Sequence, residues 1–379
     1  MPGYLSCRKN LIDNGVREIM LKTVPAVFAV GSCYQIMVEV CREALVSVRV
    51  GDKTYYDASN GIINSRSPIH RVSVPMKQLD RERGYTLCVR PIICRKPYFT
   101  ETEESLEYSY SFNPVPEQNI RVYHISDAHN QIEAPVAAAR TFGKVDLLIL
   151  NGDVIDHSGD PEKFANIYEI CARITGGEVP VVFSRGNHDM RGNYAERFAD
   201  YTPNCYGNTY YTFRLGGLWG MVLDCGEDKE DTHPEYGFTV ACHAFRERQT
   251  EFIEEVIRDS QREYAAPGVE TRLVIAHNPF PRRLEEPFDI EEGIYRRWCE
   301  LLREHIKPHL MICGHTHECA INPPGCGEDA YGQPCTVVIA SEPQKDRFIG
   351  GGFILDADAI EVMFTDSLGN RTPVERIQK

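Results

Sequence analysis

Residues 120–129 read IRVYHISDAH, an apolar run that ends in a short polar motif. The run is rich in Ile, Val and Tyr, which favour strands, and Asp127 and His129 follow it directly. Four further apolar runs end in a similar way, leading into GD at 152–153, GNHD at 186–189, a lone His277, and GHTH at 314–317. Apolar strands that alternate with helical stretches predict an α/β sheet covered by helices on both faces.

The five polar segments share a position relative to the predicted strands. Each segment follows the carboxyl end of its strand, and these strands are predicted at residues 120–125, 145–150, 179–183, 272–276 and 309–313. Ligands of such sheets bind just beyond the carboxyl ends of the strands. We therefore expect the five segments to meet at one edge of the sheet.

The spacing within two of the segments suits metal binding. Asp127 and His129 are two residues apart, as are His315 and His317. In extended backbone, side chains two residues apart face the same way, so each pair can hold one metal ion together. Gly314, which precedes the second pair, leaves room for the backbone to turn.

The other three segments complete a set of oxygen and nitrogen donors. Asp153 has two carboxylate oxygens with which it can bridge two ions, Asn187 offers an amide oxygen, and His277 offers an imidazole. A lone His after a strand is often structural, but here it completes a ligand set that is otherwise short. Such ligands without cysteine suit borderline divalent or trivalent metals. Two such ions about 3.5–4 Å apart can clamp a displacement at phosphorus.

In this order, the five segments resemble the motifs of the calcineurin-like metallophosphoesterase superfamily. The family pattern is Asp-x-His, Gly-Asp-x-x-Asp, Gly-Asn-His-Asp/Glu, an isolated His and Gly-His-x-His, and all five motifs are present. The resemblance implies a four-layer αββα sandwich and in-line attack on phosphorus by a metal-bridging hydroxide. It also implies that one metal is held by Asp127, His129, Asp153 and His317, and the second by Asp153, Asn187, His277 and His315.

Four neighbouring residues are assigned roles by the same resemblance. His188 corresponds to the residue that stabilises and protonates the leaving oxygen, and Asp156 corresponds to the carboxylate that orients that imidazole. His157 stands where protein phosphatases of the superfamily have a phosphate-binding Arg, so it either contacts substrate or lies on the surface. Arg185 also resembles a residue of the protein phosphatase motif, and it either contacts substrate or braces its loop.

The N-terminal region has a different pattern. Between about residues 20 and 112, short runs rich in Val, Ile and Tyr alternate with turn signals, which predicts a β-sandwich of the immunoglobulin or fibronectin type. The NPVP stretch at 113–116 indicates a stiff linker, so we predict a β-sandwich domain at 1–115 and a catalytic domain at 116–379.

This two-domain layout resembles that of the purple acid phosphatases. Two positions depart from their pattern: Asp156 stands where those enzymes have the tyrosine that ligates iron, and His129 stands where they usually have Gly. We therefore expect the shared architecture without the iron–tyrosinate chemistry.

Composition restricts the partners and the location. A net charge of −14 argues against binding nucleic acid or anionic membranes. Residues 1–21 contain no hydrophobic signal core, and no apolar stretch approaches the roughly 18 residues of a membrane span. The 14 cysteines are scattered without a Cys-x-x-Cys motif, so we expect reduced thiols and a cytoplasmic location.

The acidic stretch at 227–231 is expected to be solvated. The segment 223–238 around it reads as an acidic surface loop or, alternatively, as a lid.

These features predict a dinuclear metal-dependent phosphoesterase that acts on a small phosphorylated substrate. A phosphomonoester is slightly favoured, and a phosphodiester such as a cyclic nucleotide is the alternative. A non-catalytic scaffold is more remote, because retired enzymes usually lose ligands and none is missing here. The donors accept Mn, Fe or Zn, so the sequence does not decide which metal is bound, and it does not indicate an oligomeric state.

Overall fold

The N-terminal third of the chain is built mainly from strands. The computed structural model describes residues 20–59 and 61–379, so the expectation about a signal core at residues 1–21 lies almost wholly outside the described residues. The elements that precede residue 112 are β1 (Ala26–Val30), β2 (Cys33–Glu39), β3 (Ala44–Val50), β4 (Lys53–Tyr56), β5 (Ala58–Ser59), β6 (Ile63–Asn64), β7 (Ile69–Pro75), α1 (Met76–Glu82), β8 (Gly84–Arg95), β9 (Thr100–Thr102) and β10 (Leu106–Ser111).

The remainder of the chain alternates strands with helices. Its strands are β11 (Ile120–Ile125), β12 (Leu147–Asn151), β13 (Pro180–Ser184), β14 (Tyr211–Leu215), β15 (Leu218–Leu223), β16 (Thr271–Ala276), β17 (Leu310–Cys313), β18 (Cys319–Asn322), β19 (Val337–Pro343), β20 (Phe348–Leu355), β21 (Ala359–Asp366) and β22 (Glu375–Gln378). Its helices are α2 (Glu133–Phe142), α3 (Ala165–Thr175), α4 (Phe198–Tyr201), α5 (Cys242–Arg258) and α6 (Glu292–Leu301).

One long mixed sheet runs through most of the molecule. Strands β11, β12 and β13 lie side by side and parallel, and β15, β16, β17 and β19 form a second parallel run. Strand β20 joins the two runs by antiparallel pairing with β11 and β19. At the far end, β1 pairs in parallel with β13 and continues through β2 to β7. Strands β3, β4, β8, β9 and β10 form a separate sheet.

The two parallel runs share a core, and helices cover the sheet from outside. In β16, Leu273 and Ile275 join the core that also contains residues of β11 to β13. Val274 belongs to a second cluster, with Ile253 of α5 and Trp298 of α6. Helix α2 packs on β20 and β21, and α3 contacts β1. Because successive residues of a strand face opposite sides, covering both faces requires the nearly continuous apolar runs seen in the sequence.

The predicted mixed α/β architecture is confirmed, and the N-terminal region is rich in strands. A separate all-β domain is not established, because β1, β2 and β7 belong to the long sheet. One hydrophobic core extends from Val27 in β1 to Val362 in β21. All five residues of β1 are buried, which is typical of a strand inside a covered sheet.

Two further findings concern the sequence expectations. Within the described residues, no helix is both long and apolar enough to cross a lipid bilayer. Several described cysteines, Cys171 and Cys313 among them, are free thiols. Cys171 and Cys313 are fully buried, and this burial raises the pKa of both thiols.

Candidate metal centre

The five polar segments lie at the carboxyl ends of their strands, as the sequence predicts. Asp127 lies just beyond β11, Asp153 beyond β12, and Asn187 beyond β13. His277 and Gly314 follow β16 and β17, which belong to the second parallel run. The Gly314 N–H donates to the His277 carbonyl oxygen (2.9 Å), so these two segments are tied together by the backbone.

Several candidate ligands have an unusual backbone conformation. Their φ angles are positive, at 53° for Asp127, 43° for His129, 51° for Asp153, 72° for His315 and 53° for His317. Positive φ is uncommon for residues other than Gly, and strained residues of this kind cluster at functional sites. The expectation that the two spaced pairs lie in extended backbone is therefore wrong. Left-handed turns, rather than strand alternation, place Asp127 and His129 in one group of ligand atoms, whereas His317 joins that group and His315 joins a different one.

The first cluster contains Asp127, His129 and His317. One ligand atom from each lies within 4.8 Å of the others. The Nε2 atoms of His129 and His317 are 3.1 Å apart, and His317 Nε2 is 3.4 Å from Asp127 Oδ1. Ring nitrogens that face each other in this way are arranged like ligands of a shared ion.

The second cluster contains Asp153, His277 and His315, with their ligand atoms again within 4.8 Å of one another. His277 Nε2 is 3.1 Å from Asp153 Oδ2. The Asn187 amide oxygen joins the cluster through His315, whose Nδ1 is 3.1 Å from it. The arrangement brings together the four side chains that the resemblance assigns to the second metal.

Asp153 connects the two clusters. A third group of ligand atoms within 4.8 Å contains Asp153, His129 and His188, and His129 also belongs to the first cluster. The Asp153 carboxylate therefore lies between the clusters, where a bridging ligand is needed. His188, which the resemblance leaves out of the ligand set, is within reach of the same centre.

The orientation of His277 fits a metal ligand. Its Nδ1 donates to the Asn151 carbonyl oxygen (2.6 Å), which leaves Nε2 as the free nitrogen. The residue is fully buried, yet Nε2 has no hydrogen-bond partner. Histidine ligands of metals typically donate their other ring N–H to a carbonyl or carboxylate. This orphaned nitrogen and the oxygen and nitrogen donors around it fit a pair of metal ions.

The electrostatics of the centre favour bound cations. Asp127 and Asp153 are both buried. Burial lowers the pKa of His277, but these two carboxylates outweigh it and raise that pKa to about 10. Burial raises the pKa of Asp127, but His277 and His317 outweigh it and hold that pKa below its ordinary value. Two buried carboxylates that face an imidazole form a negative pocket that a cation can occupy, and metal binding there would favour the neutral form of His277.

His188 is oriented differently from the expectation. Its Nδ1 donates to the backbone carbonyl oxygen of Asp156 (2.8 Å), not to the carboxylate. The Asp156 side chain is 53% exposed and lies 3.6 Å from His129 Nδ1. The backbone of residue 156, rather than its acidic side chain, therefore holds the His188 ring.

Two residues suggested as substrate contacts are engaged within the protein. His157 is exposed, and its Nδ1 accepts the N–H of Gly159 (3.0 Å) in its own loop. Arg185 Nε donates to the buried carboxylate of Asp224 (2.8 Å), and its guanidinium lies over the Phe245 ring. For Arg185, these contacts are those of a loop brace.

The sequence reasoning missed a group of charged residues beside the centre. We call this group the charged rim: Arg191, Glu227, Asp228, Lys229 and Glu235. The expectation that 227–231 is solvated is wrong for Glu227 and Asp228, which are 1% and 9% exposed. Arg191 pairs with both carboxylates. In the sequence, Arg191 follows His188 by three residues. The turn between them is a 3₁₀ turn, in which this spacing aligns the two side chains.

Comparison with known proteins gives a family model and several solved structures. The model, described as calcineurin-like phosphoesterase, matches residues 120–319, more than half of the chain. The purple acid phosphatase PPD1 from yellow lupin (Lupinus luteus) seeds is similar at 14% identity, over 94% of this chain and 75% of that chain, with a TM-score of 0.61. At this identity the likeness shows a shared fold, and it extends into the strand-rich N-terminal region.

Other similarities are weaker. The protein TT1561 of Thermus thermophilus matches at 13% identity over 69% of this chain and all of its own, with a TM-score of 0.40. A metallophosphoesterase from Sphaerobacter thermophilus matches at 13% identity over 67% of this chain and 88% of its own, with a TM-score of 0.29. No curated protein matches the sequence significantly.

Proposed function

Since this chain belongs to the calcineurin-like phosphoesterase family and is thereby a metal-dependent phosphoric ester hydrolase, we propose that its two ligand clusters hold a pair of metal ions. The first ion is assigned to Asp127, His129, Asp153 and His317, and the second to Asp153, Asn187, His277 and His315. Bound metals supply an activated water and neutralise charge on the phosphoryl oxygens. The donors are compatible with Mn, Fe or Zn.

The observation that supports this assignment most strongly is the convergence of ligand atoms from separate strand ends. Three groups, each within 4.8 Å, share Asp153 and His129 among them. His277 adds a fully buried ring nitrogen, Nε2, that faces the carboxylates of Asp153 (3.1 Å) and Asp127 (3.8 Å). Burying such charged groups together costs free energy, which a bound cation offsets.

We assign to His188 the proton that the leaving oxygen takes up. Its Nδ1–H is held by the Asp156 carbonyl oxygen, so the bond fixes the ring and leaves Nε2 for proton transfer. The His188 backbone N–H also donates to Asp153 Oδ1 (2.9 Å). The acid and the candidate bridging ligand are therefore positioned by the same short turn.

The division of labour along the chain follows from this assignment. We propose that residues 116–379 carry the chemistry on small phosphorylated substrates, and that the described part of the preceding region supports the edge of the long sheet through β1, β2 and β7. A cytoplasmic location remains our expectation from the scattered cysteines.

Replacing His188 by Ala tests its role. We expect kcat to fall by about 100-fold or more, the usual contribution of a general acid, while the metal content per chain is unchanged. Both are measured on the same reconstituted sample, with kcat from ester hydrolysis and metal from mass spectrometry. The exposed His305→Ala variant serves as the control. Wild-type kcat in His188→Ala would contradict the assigned role.

A further inference from the structure

The charged rim is internally paired. Arg191 contacts Glu227 with two nitrogens, Nε to Oε1 at 3.0 Å and Nη2 to Oε2 at 2.8 Å. Lys229 Nζ is 3.0 Å from Asp228 Oδ1 and 3.0 Å from Glu235 Oε2. Arg191 Nη2 also lies 3.3 Å from Asp228 Oδ1, and its Nη1 lies 3.7 Å from Glu235 Oε1. Both cations are thus committed to carboxylates of the rim.

The rim contacts the candidate metal centre at two points. Arg191 Nη1 is 3.4 Å from His188 Nε2, the nitrogen assigned to proton transfer. Asp228 Oδ2 is 3.9 Å from His315 Nε2. The rim therefore borders the side of the centre at which a substrate's ester groups meet His188.

The rim is held rigidly from below. Arg246 on α5 is fully buried, and its guanidinium donates to the carbonyl oxygens of Cys225 (2.8 Å) and Glu227 (2.5 Å). The Tyr236 hydroxyl donates to Asp228 Oδ1 (2.9 Å). These contacts fix the carboxylates of the segment as a wall, which matches neither the solvated loop nor the mobile lid considered for residues 223–238.

The rim carries a net charge of −1, from two cations and three carboxylates. Asp228 is paired with Lys229 (3.0 Å) and with Arg191 (3.3 Å), and the hydrogen bond from Lys229 lowers the pKa of Glu235. These contacts favour the ionised form of both carboxyl groups. Apart from the metal ions, which act on every phosphoryl substrate, the rim adds one more negative charge than positive charge beside a bound phosphoryl group.

From this charge pattern we infer that the centre is built for phosphodiesters rather than for phosphomonoesters. The inference rests on the proposed function and specifies its substrate class. A phosphomonoester carries close to two negative charges near neutral pH, whereas a diester carries one. The uncompensated carboxylate repels the dianion more strongly, and the neutral second ester group of a diester can lie against the rim without that cost.

The reaction balances with water alone. A P–O bond forms to the water oxygen, the P–O bond to the leaving alcohol breaks, and the alcohol oxygen takes the proton from His188. Of the two protons of the attacking water, one restores that acid through solvent and the other is released to solvent. The products are an alcohol and a phosphomonoester, whose second negative charge favours its release past the rim.

Two p-nitrophenyl substrates with the same leaving group test the inference. With Mn²⁺ supplied at pH 8, we expect kcat/KM for bis(p-nitrophenyl) phosphate to exceed that for p-nitrophenyl phosphate by about ten-fold or more, as one extra repulsive charge near the centre allows. Glu235→Gln removes a half-exposed carboxylate that pairs with Lys229 and Arg191, so the rim loses one negative charge and the preference should shrink by about three-fold or more.

Two further variants test whether the substrate preference depends on the rim charge: one changes that charge in the opposite direction, and one removes a charge outside the rim. Lys229→Gln removes a positive charge and should widen the preference for the diester. Glu254→Gln, which removes an exposed carboxylate paired with Arg297, should leave it unchanged. A wild-type preference for the monoester, or an unchanged ratio in both rim variants, would overturn the inference. Failure to hydrolyse either ester with Mn²⁺, Fe²⁺ or Zn²⁺ would instead overturn the proposed function itself, and the inference with it.

Discussion

At the scale of single residues, the centre depends on close backbone contacts that only Gly permits. The His315 N–H donates to both carboxylate oxygens of Asp127, at 3.2 and 3.0 Å, so the turn that begins at Gly314 lies directly on this candidate ligand. A Cβ atom at Gly314 would collide with Ser126 Oγ and lie 2.6 Å from Asp127 Oδ2. The glycine of the GHTH motif is thus required by packing against Asp127.

A Gly314→Ala substitution should therefore displace Asp127 and weaken the first metal site. We expect metal content to fall from about two to about one ion per chain, and hydrolysis to fall at least ten-fold because both ions are needed for the clamp. Metal analysis after dialysis measures the first effect. Gly293→Ala is the control, since a Cβ there meets nothing within 4 Å. Full metal content in Gly314→Ala would rule out this packing requirement.

The same scale explains which site residues could be predicted. Asp127, Asn187 and His277 could be predicted because their types, order and positions after strands reflect the donor chemistry directly. The Asp156 carbonyl on His188 could not be predicted, because every residue has a carbonyl and only the backbone path decides where it points. The positive φ angles of His129 and His317 could not be predicted either, because the residue type does not specify the local backbone conformation.

At the scale of elements, the strands were easier to predict than the loops around them. The apolar runs of β11, β16 and β17 indicate buried strands by composition alone. The charged rim depends instead on pairing between Arg191 and Glu227, which lie 36 residues apart. A solvated charge run and a buried ion-pair network have the same composition, so within the acidic stretch Glu227 and Asp228 were assigned wrongly to solvent.

His309, just before β17, is expected to make the folded protein less stable at acidic pH. Burial, followed by Arg272 and Lys379, lowers its pKa to about 4. Between pH 6.5 and 4, the unfolded chain therefore binds a proton that the folded protein does not, so stability is lost as the pH falls. In His309→Gln, the decrease in unfolding free energy from pH 7 to pH 5 should be smaller by about 1 kcal/mol, allowing for partial exposure.

Urea denaturation at a series of pH values measures this difference. Replacing the exposed His305 by Gln provides the control and should leave the pH dependence as in the wild type. Parallel pH curves for His309→Gln and the wild type would show that the neutral ring does not contribute to acid sensitivity.

At the scale of the whole molecule, three N-terminal strands, β1, β2 and β7, share one sheet with the strands that precede the candidate ligands. Alternating burial in β3 is typical of a strand with one solvated face, and it agrees with the predicted sandwich. The unbroken apolar run of β1 instead indicates a strand that is buried on both faces, which a sandwich strand with one solvated face is not. Its pairing with β13, through Val27 and Pro180, could not be predicted, since the pattern of one strand does not name its partner.

The central claim is that two metal ions bind where the strand ends meet and that hydrolysis depends on them. Metal content by mass spectrometry, determined together with ester hydrolysis after chelation and again after reconstitution, tests it most directly. We predict about two ions per chain, loss of hydrolysis with the chelator, and recovery with added metal. Fewer than about one ion per chain, with hydrolysis unaffected by the chelator, would contradict the account.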